Sequence, residues 1–183
     1  MHTTDELSYT EGVLPGKLKP PRLRRAIERP RLLELGAARE GERLVLISAG
    51  PGYGKTTLMS QLFDRRPEPR LWYQVDELDH DPAVFLRHLI VGICQAAGLA
   101  CEAPMAMLEE STDALRDCGG IVAALCHELH ERGLELTVCF DDFHHLDGFS
   151  FATDFVGRLI ESPRVYRRLG CLGNSMISLL SCP

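Results

Sequence analysis

Several scarcities narrow what this chain can be. Its 183 residues include one tryptophan, Trp72, and only 7% aromatics, with none between Tyr9 and Tyr53. None of its seven cysteines forms a CxxC pair, and their number is odd. Neither a zinc ribbon nor a complete disulfide framework is suggested. Cys94, Cys101, Cys118, Cys126, Cys139, Cys171 and Cys182 therefore read as buried, reduced thiols of a cytosolic protein. An excess of basic charge is also missing. Lys and Arg number 20 against 26 Asp and Glu, a formal charge of -6, so the molecule as a whole is not steered toward a polyanion and any nucleic-acid contact would be local. The N-terminal MHTTDELSYTEG lacks the positive start and apolar block of a secretory signal. The longest charge-free internal stretch, Leu89 to Cys101, carries Gly92, Gln95 and Gly98 and falls short of the roughly 20 apolar residues of a membrane span. Internal repeats and low-complexity tracts are absent as well, and the expected location is the cytoplasm.

What is present is ordinary globular composition, 45% hydrophobic and 25% charged. A chain of this length fits one domain that buries roughly 70% of the surface its unfolded form exposes. Three parts are expected: a leader over residues 1–16, one α/β body over 17–163 and an atypical tail over 164–183. The segment Lys17 to Arg31 (KLKPPRLRRAIERPR) holds seven Lys/Arg against the single Glu28. Without interleaved aromatics it reads as a solvated charge run with one or two phosphate-facing residues, rather than as a nucleic-acid arm.

Leu44 to Ser48 (LVLIS) suits a strand buried on both faces of a parallel sheet, and Thr56 to Phe63 has helical spacing. Leu71 to Val75 returns to strand character before the acidic turn DELDHD. Asp81 followed by Pro82 starts a helix with Phe85, Leu89 and Ile93 on one face. A further helix carries Ile121, Leu125 and Leu129 and stops at Gly133. Leu134 to Phe140 is a third strand that runs into two aspartates. Strands alternating with helices predict an α/β three-layer sandwich with a mainly parallel sheet.

Directly after the first strand stands Ala49-Gly50-Pro51-Gly52-Tyr53-Gly54-Lys55-Thr56, the phosphate-loop pattern GxxxxGK[ST] with Ala in the first position. Glycines let successive backbone amides point into one concavity, and the following helix adds the partial positive charge of its N-terminus. A polyphosphate fits such a nest, with Gly50, Pro51, Gly52, Tyr53, Gly54, Lys55, Thr56 and Thr57 around it. Lys55 supplies a point charge to the β and γ phosphates, and the Thr56 hydroxyl is a ligand for the bridging Mg²⁺. Val138-Cys139-Phe140-Asp141-Asp142 supplies the acidic half. Asp141 is assigned to the magnesium shell and Asp142 to orienting the attacking water, the alternative for each being a turn cap. ATP and Mg²⁺ are the expected ligands, with Lys55 and Asp142 as the catalytic pair.

Four segments carry a resemblance: KLKPPRLRRAIERPRLL (17–33), LVLISAGPGYGKTTL (44–58), WYQVDELDHDPAVFLRHLI (72–90) and TVCFDDFHHL (137–146). Through them the chain resembles the nucleotide-binding domain of the MalT-like transcriptional activators, the large LuxR-type regulators within the STAND class of P-loop ATPases. The phosphate loop alone indicates a superfamily; the third and fourth blocks, around Asp76 and Asp141, narrow it. The resemblance implies a P-loop NTPase fold, ATP held as a switch with slow or absent hydrolysis, and self-association or association with a full-length relative. It also implies that Ile27 and Arg29 belong to a hydrophobic-x-Arg element whose members contact the adenine. Core packing for Ile27, and surface pairing with Glu28 or Glu34 for Arg29, stay open.

Asp76, Asp79 and Asp81 read as caps rather than ligands, Trp72 and Tyr73 as sheet core, and Cys126 and His130 as core and surface rather than a metal pair. His144 and His145 read as positioning residues beside the magnesium shell. The resemblance further implies a later strand between the phosphate-loop strand and the Asp141 strand. Residues 164–173 lack a continuous apolar run, Met176 to Leu180 is the next candidate, and no charge follows Arg168. The tail therefore reads as a truncated or frame-altered end, leaving the fold incomplete at its C-terminus and without a DNA-binding part. Two further functions stay open: a small-molecule kinase of the P-loop class, and a catalytically inactive interaction fragment.

Overall fold

The computed structural model describes residues 11–23, 26–38, 44–66, 69–161 and 166–173. In chain order the helices are α1 (Pro30–Ala38), α2 (Lys55–Asp64), α3 (Pro82–Ala97), α4 (Glu102–Glu110), α5 (Ala114–Glu131) and α6 (Ser150–Glu161). The strands are β1 (Leu44–Ser48), β2 (Arg70–Gln74), β3 (Leu136–Asp141) and β4 (Tyr166–Gly173). They form one sheet in the order β1-β4-β3-β2, and every neighbouring pair is parallel. All carboxyl ends therefore open on the same edge, where the phosphate loop follows β1 and the two aspartates end β3.

β3 is buried at each of its six positions, because both faces of the sheet are covered there, whereas β1, expected to be buried on both faces, lies at the sheet edge with Leu46 38% exposed. Leu71, Tyr73, Val138 and Phe140 pack with α3, α5 and α6, whereas Trp72 and Cys139 pack against Met59 and Phe63 of α2 on the opposite face. The alternation follows from the two-residue period of a strand, and burial on both sides explains the near-continuous apolar run. α3 begins as its sequence predicts. The Asp81 side chain accepts from the Ala83 amide, Pro82 takes the first helical position, and Gly98 ends the helix in the left-handed region. α3 lies so close to β2 that a Cβ at Gly92 would stand 2.6 Å from Leu71.

Two expectations are corrected. The stretch with no apolar run is nevertheless the inserted strand: β4 pairs Leu44 with Leu169 through Ser48 with Gly173 on one side, and β3 on the other. Backbone pairing to two neighbours, which no hydrophobic pattern reports, makes it a strand. The alternative, Met176 to Leu180, lies outside the described residues. Cys94 and Cys101, read as reduced thiols, form a disulfide with Cα atoms 5.9 Å apart. The cause is the tight reversal at Gly98, which returns the chain so that Cys101 starts α4 beside the last turns of α3. Cys118, Cys126 and Cys139 are buried, as expected. α4 has no counterpart among the sequence expectations. No described helix is long and apolar enough to cross a membrane.

Candidate functional site

β1 ends at Ser48, and the chain turns through an exposed loop before α2 begins at Lys55. Gly52 and Gly54 adopt φ values of 79° and 76°, a region in which a side chain is strained. These two glycines let the loop fold back over the helix N-terminus. The Lys55 ammonium donates to the carbonyls of Ala49 at 2.7 Å and Gly50 at 3.0 Å, so the cation stands within the loop that the sequence assigns to phosphate. Gly50, Pro51, Gly52 and Tyr53 are exposed, while Gly54, Lys55, Thr56 and Thr57 are half-buried along the first turn of α2.

Next to this loop the Thr56 hydroxyl donates to Asp141 Oδ1 at 3.1 Å across 85 residues of sequence. The two residues assigned to magnesium are thus in direct contact. Burial pushes the Asp141 carboxyl above the usual carboxylate range and the Asp142 charge adds to this, against the hydrogen bonds from Thr56 and the Asp142 amide and the charge of Lys55. A hydroxyl and a carboxylate are hard oxygen donors. Among the described residues no three His, Cys, Asp or Glu side chains gather to hold a metal. Two protein oxygens, completed by phosphate and water oxygens, suit Mg²⁺, so the donor set fits that ion.

Asp142 has a φ of 55° and its amide donates to Asp141 Oδ1 at 3.1 Å. Aspartate is among the few residues that tolerate this region, which is common at functional turns. Its side chain is not a cap for the 3₁₀ turn Phe143–Leu146 that follows. His144 Nδ1 stands 4.0 Å from Asp142 Oδ1. His144 and His145 are half-buried beside the aspartates.

On the far side of the loop, Arg29 donates to the Tyr53 carbonyl at 2.9 Å. That contact replaces the pairing with Glu28 or Glu34 left open by the sequence. Ile27 is 83% exposed, which excludes core packing. Ala26, Ile27, Arg29, Gly54, Thr57, Leu58 and Gln61 line a pocket of about 210 Å³ contiguous with the loop. Ala26, Leu58 and Gln61 escaped sequence reasoning because no motif links them; only the helical period of α2, which puts 54, 57, 58 and 61 on one face, could have found them.

Asp76 and Asp81 are caps, as read: Asp76 and Asp79 form a reciprocal capping box around the 3₁₀ turn Glu77–His80. Trp72 and Tyr73 are core, Cys126 is buried and His130 exposed. Lys17 departs from the solvated charge run. It is 7% exposed and its ammonium lies 2.8 Å from Asp76 and 2.6 Å from Asp79. Opposite charges 59 and 62 residues apart carry no local signal. Arg24 and Arg25 lie outside the described residues.

No family model matches the chain. The HTH-type transcriptional regulator MalT of Vibrio parahaemolyticus serotype O3:K6 is 33% identical over 133 residues, 72% of this chain and 14% of that protein. The MalT of Klebsiella pneumoniae subsp. pneumoniae is 36% identical over 133 residues, again 72% and 14%. That of Cronobacter sakazakii is 36% identical over the same shares. The chain spans 14% of the length of these relatives. Over nearly three quarters of its own length it is a MalT-like sequence.

Proposed function

We propose that this chain is an ATP-binding switch segment of a MalT-like transcriptional regulator, with the architecture of a P-loop NTPase and little or no turnover. The observation that carries the reading is the contact between Thr56 and Asp141 at 3.1 Å, which joins the two halves of a magnesium-phosphate site beside the Gly50–Thr57 loop. Amides of the loop and the first turn of α2 bind the phosphates, Lys55 neutralises their charge, and Ile27 and Arg29 wall the adjoining base pocket. Thr56 and Asp141 hold the magnesium. Held there, magnesium would offset the charge of the phosphates. Asp142 orients a water, and its 42% exposed side chain leaves that water poorly shielded from solvent, in keeping with slow hydrolysis.

The relatives are named as transcriptional regulators. In this proposal the chain serves the same kind of protein in the cytoplasm, and nucleotide state governs its association with itself or with a longer relative. Calorimetric titration with ATP, ADP and GTP in Mg²⁺ tests occupancy and base choice together. Binding of ATP by the wild type, and its loss in Lys55→Ala, is the expected result. Absence of heat with all three nucleotides removes the reading.

A further inference from the structure

A second set of polar contacts ends at the candidate site without belonging to it. Residues 11–18 lie against α3 and the free edge of β2. The Leu14 amide donates to His88 Nε2 at 3.1 Å, and Val13 and Leu18 pack onto the core. The Gln74 amide, at the end of β2, donates to the Lys17 carbonyl at 2.8 Å. Gln74 is in turn the register partner of Asp141. The Lys17 ammonium reaches Asp79, fully buried, whose other oxygen accepts from the Tyr73 hydroxyl at 2.6 Å. Asp79 also caps the Asp76 amide at 2.9 Å. Lys17 therefore fixes the whole turn Glu77–His80.

That turn carries His80, which touches the second turn. His80 Nε2 donates to the His145 carbonyl at 2.9 Å, and its ring stacks on Phe149 at 4.4 Å between centroids. His145 closes its own turn by donating from its amide to the Asp142 carbonyl at 3.1 Å. Hydrogen bonds from Lys17 to Asp79, from His80 to His145 and from His145 to Asp142, joined by the backbone between Asp79 and His80 and within His145, thus connect Lys17 to Asp142. Asp142 is held at φ 55°, a conformation that surrounding contacts must maintain.

We propose that Lys17 and His80 are positioning residues that latch the Asp141–Asp142 turn, so that the N-terminal strap sets the magnesium side of the site. The nucleotide part of this inference rests on the function proposed above; the mechanical part does not. Residues 11–18 then do more than cover a sheet edge. Pulling Lys17 away frees the acidic turn, leaves Asp79 buried without its cation, and loosens the turn that presents Asp142.

His80→Phe keeps the ring on Phe149 and removes only the bond to His145. Lys17→Met combined with Asp79→Asn removes both members of the buried ion pair while keeping the lysine stem's packing. Hydrogen exchange of the amides at 143–147 is read first, without nucleotide. Both variants are expected to exchange faster there by roughly fivefold, the equivalent of one lost hydrogen bond, with the far end of the core in α5 unchanged. Exchange that rises only over 74–81 in the double variant, with 143–147 as protected as in wild type, overturns the latch and leaves Lys17 a local support.

The second readout is the gain in ATP affinity on adding Mg²⁺. His80→Phe is expected to lose about fivefold of that gain and to keep its Mg²⁺-free affinity. An unchanged gain also overturns the proposal. If the wild type binds no nucleotide, the proposed function falls, and the exchange measurement alone decides the latch.

Discussion

Thr56 Oγ1 and Asp141 Oδ1 meet at 3.1 Å from the start of α2 and the end of β3. Asp141→Asn keeps the shape and an oxygen for Thr56 but lowers the negative charge offered to magnesium. The variant is expected to fold with wild-type circular dichroism and to lose about tenfold or more in Mg²⁺-dependent ATP affinity, the scale of one charge-assisted contact. Its affinity for ATP in EDTA should be little altered. Equal losses with and without the ion would place Asp141 outside the metal shell. Lys55→Ala should differ in kind, weakening both titrations together.

At Ile27 the proposed base side of the site can be separated from the proposed phosphate side. Ile27 is 83% exposed yet lines the pocket beside Gly54 and Thr57, so truncation creates no core cavity. Ile27→Ala is expected to leave the unfolding free energy within about 0.5 kcal/mol of wild type, as for other surface changes. It should weaken ATP by roughly fivefold to tenfold through lost apolar contact. Tripolyphosphate, which has no base, should bind both proteins equally. A parallel loss for tripolyphosphate would show that Ile27 acts on the loop and not on the base.

Much of this was legible in the sequence, and the rest divides by physical cause. The phosphate loop is written in consecutive residues, and β1 before it and α2 after it follow from local periodicity. Asp81 and Pro82 likewise start α3 by chemistry confined to two neighbours. β4 was not legible, because its place between β1 and β3 depends on backbone pairing across the sheet. Lys17 was hidden in a run of cations. Its burial depends on an acidic turn about 60 residues away, and only the folded edge of β2 brings the two together. Arg29 was legible as a candidate site residue but not its partner, since a carbonyl acceptor such as that of Tyr53 leaves no mark on composition.

Asp76 gives the acid limb of stability a definite sign. Partial burial pushes its carboxyl up, but hydrogen bonds from Lys17 and the Leu78 amide, together with the Lys17 charge, hold it below the usual carboxylate range. A carboxyl lowered on folding contributes stability that is fully present above its unfolded pKa and lost as the pH falls through its folded value. Urea midpoints of wild type and Asp76→Asn should therefore differ near neutrality and converge in acid. The gap should be modest, because the Asp76 side chain is 44% exposed and solvent screens it. A gap that widens on acidification would contradict the assignment.

Cys94 and Cys101 join the end of α3 to the start of α4 across a sequence separation of 7. A loop this short still restricts the unfolded chain, by about 2–3 kcal/mol on the chain-entropy scale. The pair is also shielded, at 6% and 2% exposure, so a reductant reaches it mainly when the end of α3 opens. Dithiothreitol should reduce it slowly in native buffer and rapidly in urea, followed by alkylation and peptide mass mapping. The reduced protein is expected to keep ATP binding, because the bridge lies at α4 and not at the carboxyl edge of the sheet, but to unfold at lower urea. Cys94→Ser with Cys101→Ser should reproduce the lower midpoint and make it insensitive to reductant. If the double variant instead matches the oxidised wild type, the bridge contributes nothing, and the Gly98 reversal alone holds α4 in place.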